Sequence, residues 1–259
     1  MRNVLLVFFN KCFTSGIIPE EWSKSLVTPL LKGKAKDSTT LNNYRGISLL
    51  SHVYKIFTGL LNKRLTNYLE STGRLADEQN GFRKGRSCID HIYALTSIIR
   101  NRKLSNKSTY CCFIDMAKAF DSVDRKLLLH QCLKYGIGGN LYKSLVAIYN
   151  KTLCSVIINN EYGIWFNTKT GVKQGDSLSP LLFSLYVNEL TFALNEAGLG
   201  VPFGNESVSI LLYADDIVLL APSPENLQLM LDIVYDWRRK FRMTVNNEKN
   251  KYYALSQKK

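Results

Sequence analysis

The chain has 259 residues, 46% of them hydrophobic, and can therefore bury one large core or two lobes. Its 34 Lys and Arg residues against 21 Asp and Glu give a net charge of +13, which favours a polyanionic partner. The apolar run at 4–9 is too short for a signal peptide or a membrane span, so we expect an intracellular protein, nuclear or cytoplasmic, that is not secreted and has no membrane partner.

Periodicity predicts a succession of helices and strands. In chain order they are a helix at 52–69, a polar break at 100–108, a strand at 110–114, a helix at 125–135, a hairpin of 153–158 with 163–169, a helix at 179–197, a hairpin of 208–212 with 217–220, and a helix from 223 to about 242. From 109 onward this order predicts an α+β fold, with helices covering one face of an antiparallel sheet. The break at 100–108 is the predicted domain boundary.

Charge is distributed unevenly about that boundary. Residues 1–108 carry 18 basic against 7 acidic side chains, whereas 109–259 carry 16 against 14. We therefore expect a basic N-terminal lobe and acidic chemistry in the second lobe.

The cysteines and histidines indicate no metal site. The six cysteines form no Cys-x-x-Cys pair, so we expect buried, reduced thiols. The three histidines have no partner at metal-ligand spacing, and we interpret them as structural.

Two adjacent acidic residues lie between apolar runs, where a protein core normally has hydrophobic side chains. Asp215 and Asp216 separate the apolar runs 208–212 and 217–220, which predicts the tight turn of a β-hairpin. Burying two neighbouring carboxylates is costly, and a divalent cation is the usual compensation. The alternative is an ordinary solvated Asp-Asp turn.

A third acid favours the metal interpretation. Asp115 directly follows the apolar strand 110–114, which places it at a sheet edge that faces a cleft. If that strand neighbours the hairpin, three carboxylates come together. Ligands that offer only oxygen suit Mg²⁺ or Mn²⁺ rather than zinc.

Six segments together resemble the reverse transcriptases of non-LTR (LINE-type) retrotransposons. They occur in the family's order over nearly the whole chain: Pro29-Leu30-Leu31-Lys32 with Asn43-Tyr44-Arg45-Gly46-Ile47-Ser48-Leu49-Leu50, Gln79-Asn80-Gly81-Phe82-Arg83, Phe113 to Asp121, Gly171 to Pro180, Tyr213-Ala214-Asp215-Asp216, and Val245-Asn246-Asn247-Glu248-Lys249.

The resemblance implies the fingers and palm of a right-hand polymerase. The fingers and an N-terminal extension would span 1–108 and the palm 109–259, with about 125–171 partly returning to the fingers. Full-length element proteins continue into a helical thumb and carry an endonuclease upstream. We expect both to be absent here, as in a truncated protein.

The implied activity is that of an RNA-directed DNA polymerase, a nucleotidyltransferase whose partners are an RNA template, a DNA primer and a dNTP. Two Mg²⁺ ions, or Mn²⁺, would activate the primer 3′-hydroxyl and neutralise the leaving pyrophosphate. Asp115 and Asp215 are the first-choice catalytic ligands that the resemblance implies, and Asp216 comes next. The Met116 carbonyl is a further ligand by analogy.

Nucleotide-binding roles also follow from the resemblance. Phe120 matches the aromatic residue that excludes a ribose 2′-hydroxyl, with core packing as the alternative. Lys32 and Arg45 match residues that hold the triphosphate, although Lys32 alone reads as a solvated charge. Gln174 and Gly175 would line the nucleotide and template, or form a helix-entry turn.

The remaining candidates are basic. Arg83, Lys84 and Arg86 form a loop suited to template phosphates, with a solvated charge cluster as the alternative. Lys249 resembles a lysine proposed to donate a proton to pyrophosphate. Asn250 stands where the family usually has a small hydroxyl residue, which weakens that assignment.

Two alternative functions stay open at this point. One is a truncated, inactive or co-opted remnant that binds nucleic acid but does not extend a primer. The other is a reverse transcriptase of the group II intron type. The intact Asp115, Asp215 and Asp216 favour the enzyme over the remnant.

Overall fold

The computed structural model describes residues 2–33, 36–246 and 250–255. The helices are α1 (Arg2–Ser15), α2 (His52–Ser71), α3 (Cys88–Leu104), α4 (Ala119–Ser122), α5 (Arg125–Lys134), α6 (Gly139–Asn150), α7 (Ser179–Glu196) and α8 (Pro224–Lys240). The strands are β1 (Lys24–Leu31), β2 (Tyr44–Leu49), β3 (Thr109–Asp115), β4 (Leu153–Ile158), β5 (Glu161–Tyr162), β6 (Phe166–Asn167), β7 (Val201–Phe203), β8 (Glu206–Val208), β9 (Ile210–Tyr213), β10 (Asp216–Ala221) and β11 (Lys251–Leu255). This mixture confirms the predicted α+β class.

The chain divides into two compact units. One comprises Met1–Ser71 and Asp124–Leu182, and the other comprises Thr72–Val123 and Phe183–Lys259. We call the first the basic unit and the second the carboxylate unit. The division into fingers at 1–108 and palm at 109–259 stays a prediction.

In the basic unit, the strand order is β2-β1-β4-β5, and β6 also pairs with β4. β1 is antiparallel to β2 and parallel to β4. Helix α2 confirms the helix expected at 52–69. Its buried apolar residues recur every three to four positions, at Tyr54, Phe57, Leu61, Leu65 and Leu69, which is the spacing of one helix face.

In the carboxylate unit, the central sheet has the order β11-β3-β10-β9, and all of its neighbouring strands are antiparallel. Helix α8 packs on β3 and β10. Ile98 of α3 joins a buried cluster with Cys111 and Leu220. The predicted antiparallel sheet with helices packed on it is therefore confirmed.

Three expectations need correction. The break at 100–108 is wrong up to residue 104, because α3 continues that far and Arg102 is buried while donating to the Ser108 carbonyl and Thr109 Oγ1. The strand expected at 163–169 is shorter, since only β6 lies within that range, while β5 precedes it; both pair with β4. Cys88 is exposed rather than buried.

Among the residues that the structure covers, no helix combines the length and the apolar character that a membrane span requires.

Candidate active site

Asp115 and Asp216 face each other across neighbouring strands. Asp115 ends β3, Asp216 begins β10, and the two residues are direct partners in the antiparallel register. Side chains of directly opposed residues share one face of a sheet, with Cβ atoms about 4.5 to 5.5 Å apart. Like charges in this position repel, so the pair favours a cation between or beside the two carboxylates.

The turn before Asp216 is tight. Tyr213 pairs with Asp216, so Ala214 and Asp215 alone connect β9 to β10. Two-residue hairpin turns need a positive φ, and Ala214 supplies it with φ +59°. Asp215 is half-buried in this turn, while Asp216 is exposed. The predicted hairpin is therefore confirmed, with the acids at its tip.

A carboxamide positions Asp115. Asn246 Nδ2 donates to Asp115 Oδ2 at 3.1 Å, and the Asn246 backbone N–H donates to the Asp115 carbonyl at 2.8 Å. Asn250 Oδ1 lies 3.4 Å from the Asp115 amide nitrogen. Sequence reasoning assigned no role to Asn246, although the segment 245–249 was matched to the family.

The donor set fits a hard divalent cation only in part. Within the described portions of the chain, no group of three or more His, Cys, Asp or Glu side chains is arranged to hold a metal ion. The convergence of all three carboxylates on one metal site stays a prediction. The register makes Asp216 the strand partner of Asp115 and leaves Asp215 in the turn. The facing pair still offers the oxygen ligands that Mg²⁺ prefers.

A cleft opens beside the pair. It has a volume of about 600 Å³, and its walls come from α3 and from the face of the sheet that carries the acids. Its lining residues include Cys88, His91, Ile92, Phe113, Asp115, Tyr213, Asp216 and Lys251. A largely apolar cleft with acids in its wall can hold a substrate group next to the carboxylates.

Phe120 belongs to a row of aromatic rings. Its ring stacks on Phe183 with centroids 4.8 Å apart and meets Phe82 edge-on at 6.3 Å. Phe183 is fully buried, whereas Phe120 is half-buried and Phe82 is 62% exposed. The row fixes the orientation of Phe120 while leaving part of its ring accessible.

The two residues expected to bind the triphosphate lie in the basic unit. Lys32 follows β1 and donates from Nζ to the Asn42 carbonyl at 2.9 Å, and Arg45 lies on β2. Both side chains are exposed. The structure therefore presents two cations beside the β1–β2 hairpin.

Gln174 and Gly175 lie against the same hairpin. The Gln174 carbonyl accepts from the Ser48 amide at 2.7 Å. Gly175 has φ +108°, and an added Cβ would lie 2.8 Å from the Ser48 carbonyl oxygen. Only glycine permits this backbone approach, so the turn before the helix requires Gly175 whether or not the residue contacts a nucleotide.

A buried polar network that sequence reasoning missed holds this loop. Asp176 is 3% exposed and accepts from Tyr54 Oη at 2.8 Å and from Thr58 Oγ1 at 2.6 Å. Lys173 Nζ donates to the Trp22 carbonyl at 2.9 Å and lies 4.6 Å from the centroid of the Tyr54 ring. Burial lowers the pKa of Lys173 to about 8. Hydrogen bonds between residues so far apart in sequence leave no local pattern.

The basic loop divides into an inner and an outer part. The Arg83 side chain is 6% exposed, and its Nη1 donates to the Ala76 carbonyl at 2.7 Å. Arg86 is half-buried and binds Asp77, while Lys84 is exposed. The surface offered to phosphates is therefore that of Lys84 and Arg86. Lys249 lies outside the residues that the structure describes.

Comparison with known proteins identifies the family. The profile of a family described as reverse transcriptase (RNA-dependent DNA polymerase) matches residues 32–258. A probable RNA-directed DNA polymerase from transposon BS of Drosophila melanogaster is 29% identical over 95% of the chain, which covers 27% of that relative. A Pol polyprotein from a type-1 retrotransposable element R2 of Nasonia vitripennis is 27% identical over 86% of the chain and 21% of its own length.

Solved structures share the fold. A telomerase from Candida albicans, solved in complex with a fragment of telomeric RNA, matches with a TM-score of 0.65 and 9% identity over 97% of this chain and 46% of its own. An apo telomerase from Candida tropicalis matches with a TM-score of 0.66 and 13% identity over 97% and 55%. The arrangement of helices and sheets is therefore that of a polymerase with fingers and palm.

Proposed function

The chain belongs to the reverse transcriptase family, and we propose that it is the RNA-directed DNA polymerase domain of a non-LTR retroelement. In this reaction a primer 3′-hydroxyl attacks the α-phosphate of a dNTP opposite an RNA template, and pyrophosphate leaves. The observation that carries the proposal is the facing pair of Asp115 and Asp216 at the end of the antiparallel sheet. The chain spans only 27% and 21% of the two relatives named above.

The acids act as ligands rather than as nucleophiles. Members of the family depend on a divalent metal in general, and Asp115 with Asp216 would hold it here. We propose Asp215 and the Met116 carbonyl as the further ligands. Two Mg²⁺ ions, or Mn²⁺, when bound, supply Lewis-acid activation of the primer hydroxyl and neutralise charge on the pyrophosphate.

The other residues orient substrates. Phe120, held between Phe183 and Phe82, would exclude the 2′-hydroxyl of a ribonucleotide. Lys32 and Arg45 would bind the triphosphate, since both are exposed cations.

Three further contacts complete the proposal. Gln174 and Gly175 would line the base pair. Lys84 and Arg86 would contact template phosphates, which gives register without sequence specificity. Lys249 as a proton donor rests on the sequence resemblance alone.

Primer extension on poly(rA)/oligo(dT), with dTTP and either Mg²⁺ or Mn²⁺, tests the proposal. We expect incorporation by the wild-type chain and a loss of more than about 100-fold in Asp115→Asn and in Asp216→Asn, because losing a direct ligand should exceed the cost of disturbing an outer-shell partner. Asp236→Asn changes an exposed acid on α8 and should leave incorporation unchanged. Incorporation that persists in both site variants would contradict the assignment.

Thermal unfolding gives a second readout. Without metal, Asp216→Asn should raise the unfolding temperature, because it removes the charge opposite Asp115. Added Mg²⁺ should then stabilise the wild type more than the variant.

If the wild type fails to incorporate dTTP with either metal in the primer-extension assay, this chain is not an autonomous polymerase.

A further inference from the structure

The turn that carries the acids contains a strained residue. Ala214 has φ +59°, a left-handed conformation that residues with a Cβ rarely adopt, and it directly precedes Asp215. The directions of Asp215 and Asp216 depend on the peptide groups of this residue. Its environment must therefore hold the conformation in place.

A single carboxamide binds both peptide groups of Ala214. Gln79 Oε1 accepts from the Ala214 amide at 2.9 Å, and Gln79 Nε2 donates to the Ala214 carbonyl at 3.3 Å. The same Oε1 also accepts from the Gly81 amide at 2.8 Å. Gln79 is 2% exposed, so water does not compete readily for these bonds.

Backbone pairing holds Gln79 in register with the hairpin. The Leu212 amide donates to the Glu78 carbonyl at 2.9 Å, and the Asn80 amide donates to the Leu212 carbonyl at 2.9 Å. His91 Nε2 lies 2.8 Å from the same Leu212 carbonyl oxygen. The segment 78–80 thereby pairs along β9, which is an edge strand of its sheet.

The close approach of the two segments requires glycine at position 81. A Cβ there would lie 2.2 Å from the Ala214 nitrogen and 2.9 Å from the Ala214 Cα. No other residue fits without moving the turn. The contact between 79–81 and the turn is therefore built into the backbone as well as into the Gln79 side chain.

We infer that Gln79 is a positioning residue, which fixes the Ala214 peptide groups and thereby aims Asp215 and Asp216 toward the metal site that they would share with Asp115. It touches neither substrate nor metal in this role and acts through Ala214. The inference rests on the proposed function only for its catalytic consequence, since the effect on the turn and on metal affinity is independent of nucleotide incorporation.

Two variants separate the hydrogen bonds from the shape of the side chain. Gln79→Met keeps the length and loses the acceptor, whereas Gln79→Glu keeps an acceptor oxygen for both amide donors but places a second carboxylate oxygen against the Ala214 carbonyl in place of the 3.3 Å bond. Gln228→Met, on an exposed position of α8, is the matched control.

Amide hydrogen exchange measured by NMR tests the effect on the turn. We expect the Ala214 amide to exchange at least about tenfold faster in Gln79→Met than in the wild type, and Gln79→Glu, which keeps the acceptor, to exchange more slowly than Gln79→Met. The Leu219 amide, in the middle of β10, should be unchanged, which separates a local change from global unfolding. Unchanged Ala214 exchange in Gln79→Met would overturn the inference.

Mn²⁺ binding, measured by water proton relaxation, and primer extension test the consequence. In Gln79→Met we expect about ten- to hundredfold weaker Mn²⁺ binding and a lower kcat with little change in the KM for dTTP, as for an outer-shell partner. Wild-type Mn²⁺ affinity in Gln79→Met would overturn the positioning role. If the wild type does not extend primers but Mn²⁺ binding still weakens in Gln79→Met, the polymerase proposal fails and the positioning role stands.

Discussion

The basic unit buries a few of its ionisable side chains among hydrogen-bond partners, whereas the carboxylate unit holds its key acids at the end of a sheet, close to solvent. Lys173, Arg125 and Asp176 are each at most 8% exposed, but Asp115 and Asp215 are half-buried and Asp216 is exposed. Basic residues outnumber acidic ones by 17 to 7 in the basic unit and by 17 to 14 in the carboxylate unit.

This difference separates charged side chains that stabilise the fold from charged side chains that can bind a ligand. Arg125 donates to Thr152 Oγ1 and to the Gly171 carbonyl, so the protein itself compensates its burial. Asp115 and Asp216 instead face a like charge across the sheet, an arrangement that an added cation would relieve. Removing a side chain from the first set should therefore cost stability, and removing one from the second set should cost ligand binding.

Asp176→Ala tests the structural half of the comparison. It leaves the buried Tyr54 and Thr58 hydroxyls without their acceptor and Lys173 without a nearby anion, so we expect a loss of about 3 to 5 kcal/mol in unfolding free energy. Urea unfolding measures it. Asp236→Ala, at an exposed site, should change stability by less than about 0.5 kcal/mol, and equal effects of the two variants would contradict the buried network.

Lys173→Met isolates one buried charge. Burial lowers the Lys173 pKa from 10.5 to about 8, so the unfolded chain binds a proton that the folded chain releases between pH 8 and 10.5. The unfolding free energy of the wild type minus that of the variant should therefore be constant below pH 8 and rise above it, by up to about 3 kcal/mol.

The comparison by difference is needed for the pH experiment because other groups titrate in this range. Burial raises the pKa of Cys111 and Cys112 to about 11, which lowers the stability of both proteins at alkaline pH. That contribution cancels in the difference. A flat difference from pH 7 to pH 10 would show that Lys173 does not titrate as a buried cation.

Asn246→Ala tests the chemical half and has the smallest expected effect. Loss of the 3.1 Å bond to Asp115 Oδ2 should weaken Mn²⁺ binding by about ten- to hundredfold, or about 1.4 to 2.7 kcal/mol. Asn226→Ala, on α8, is the control. If Asn246→Ala lowers stability but leaves the Mn²⁺ affinity unchanged, Asn246 stabilises the fold and does not support metal binding.

The sequence predicts what local patterns determine. The apolar runs around Asp215 and Asp216 predict a hairpin, in which Asp215 lies in the turn and Asp216 begins β10, and the run before Asp115 predicts a strand that ends there. Helix α8 follows from Ser223, whose hydroxyl accepts from the Asn226 amide, and from Pro224 in the first turn.

Long-range hydrogen bonds remained beyond sequence reasoning. Gln79 and Ala214 are 135 residues apart, and Tyr54 and Asp176 are 122 apart, so nothing nearby in sequence indicates either contact. The wrong prediction of a break at Arg102 has the same cause, since a basic residue in a polar stretch is typical of a loop and its partners Ser108 and Thr109 are known only from the structure. A family segment such as 79–83 signals importance without indicating the contact behind it.

The exposed thiol of Cys88 makes the cleft accessible to spectroscopy without any substitution. Cys12, Cys111, Cys112 and Cys132 are buried, and desolvation raises the pKa of each, so their reactive thiolate forms are suppressed. Cys88 begins α3 and lines the same cleft as Asp115 and Asp216. A fluorophore or spin label attached to the native chain at this position would therefore report on what enters the space beside the acids.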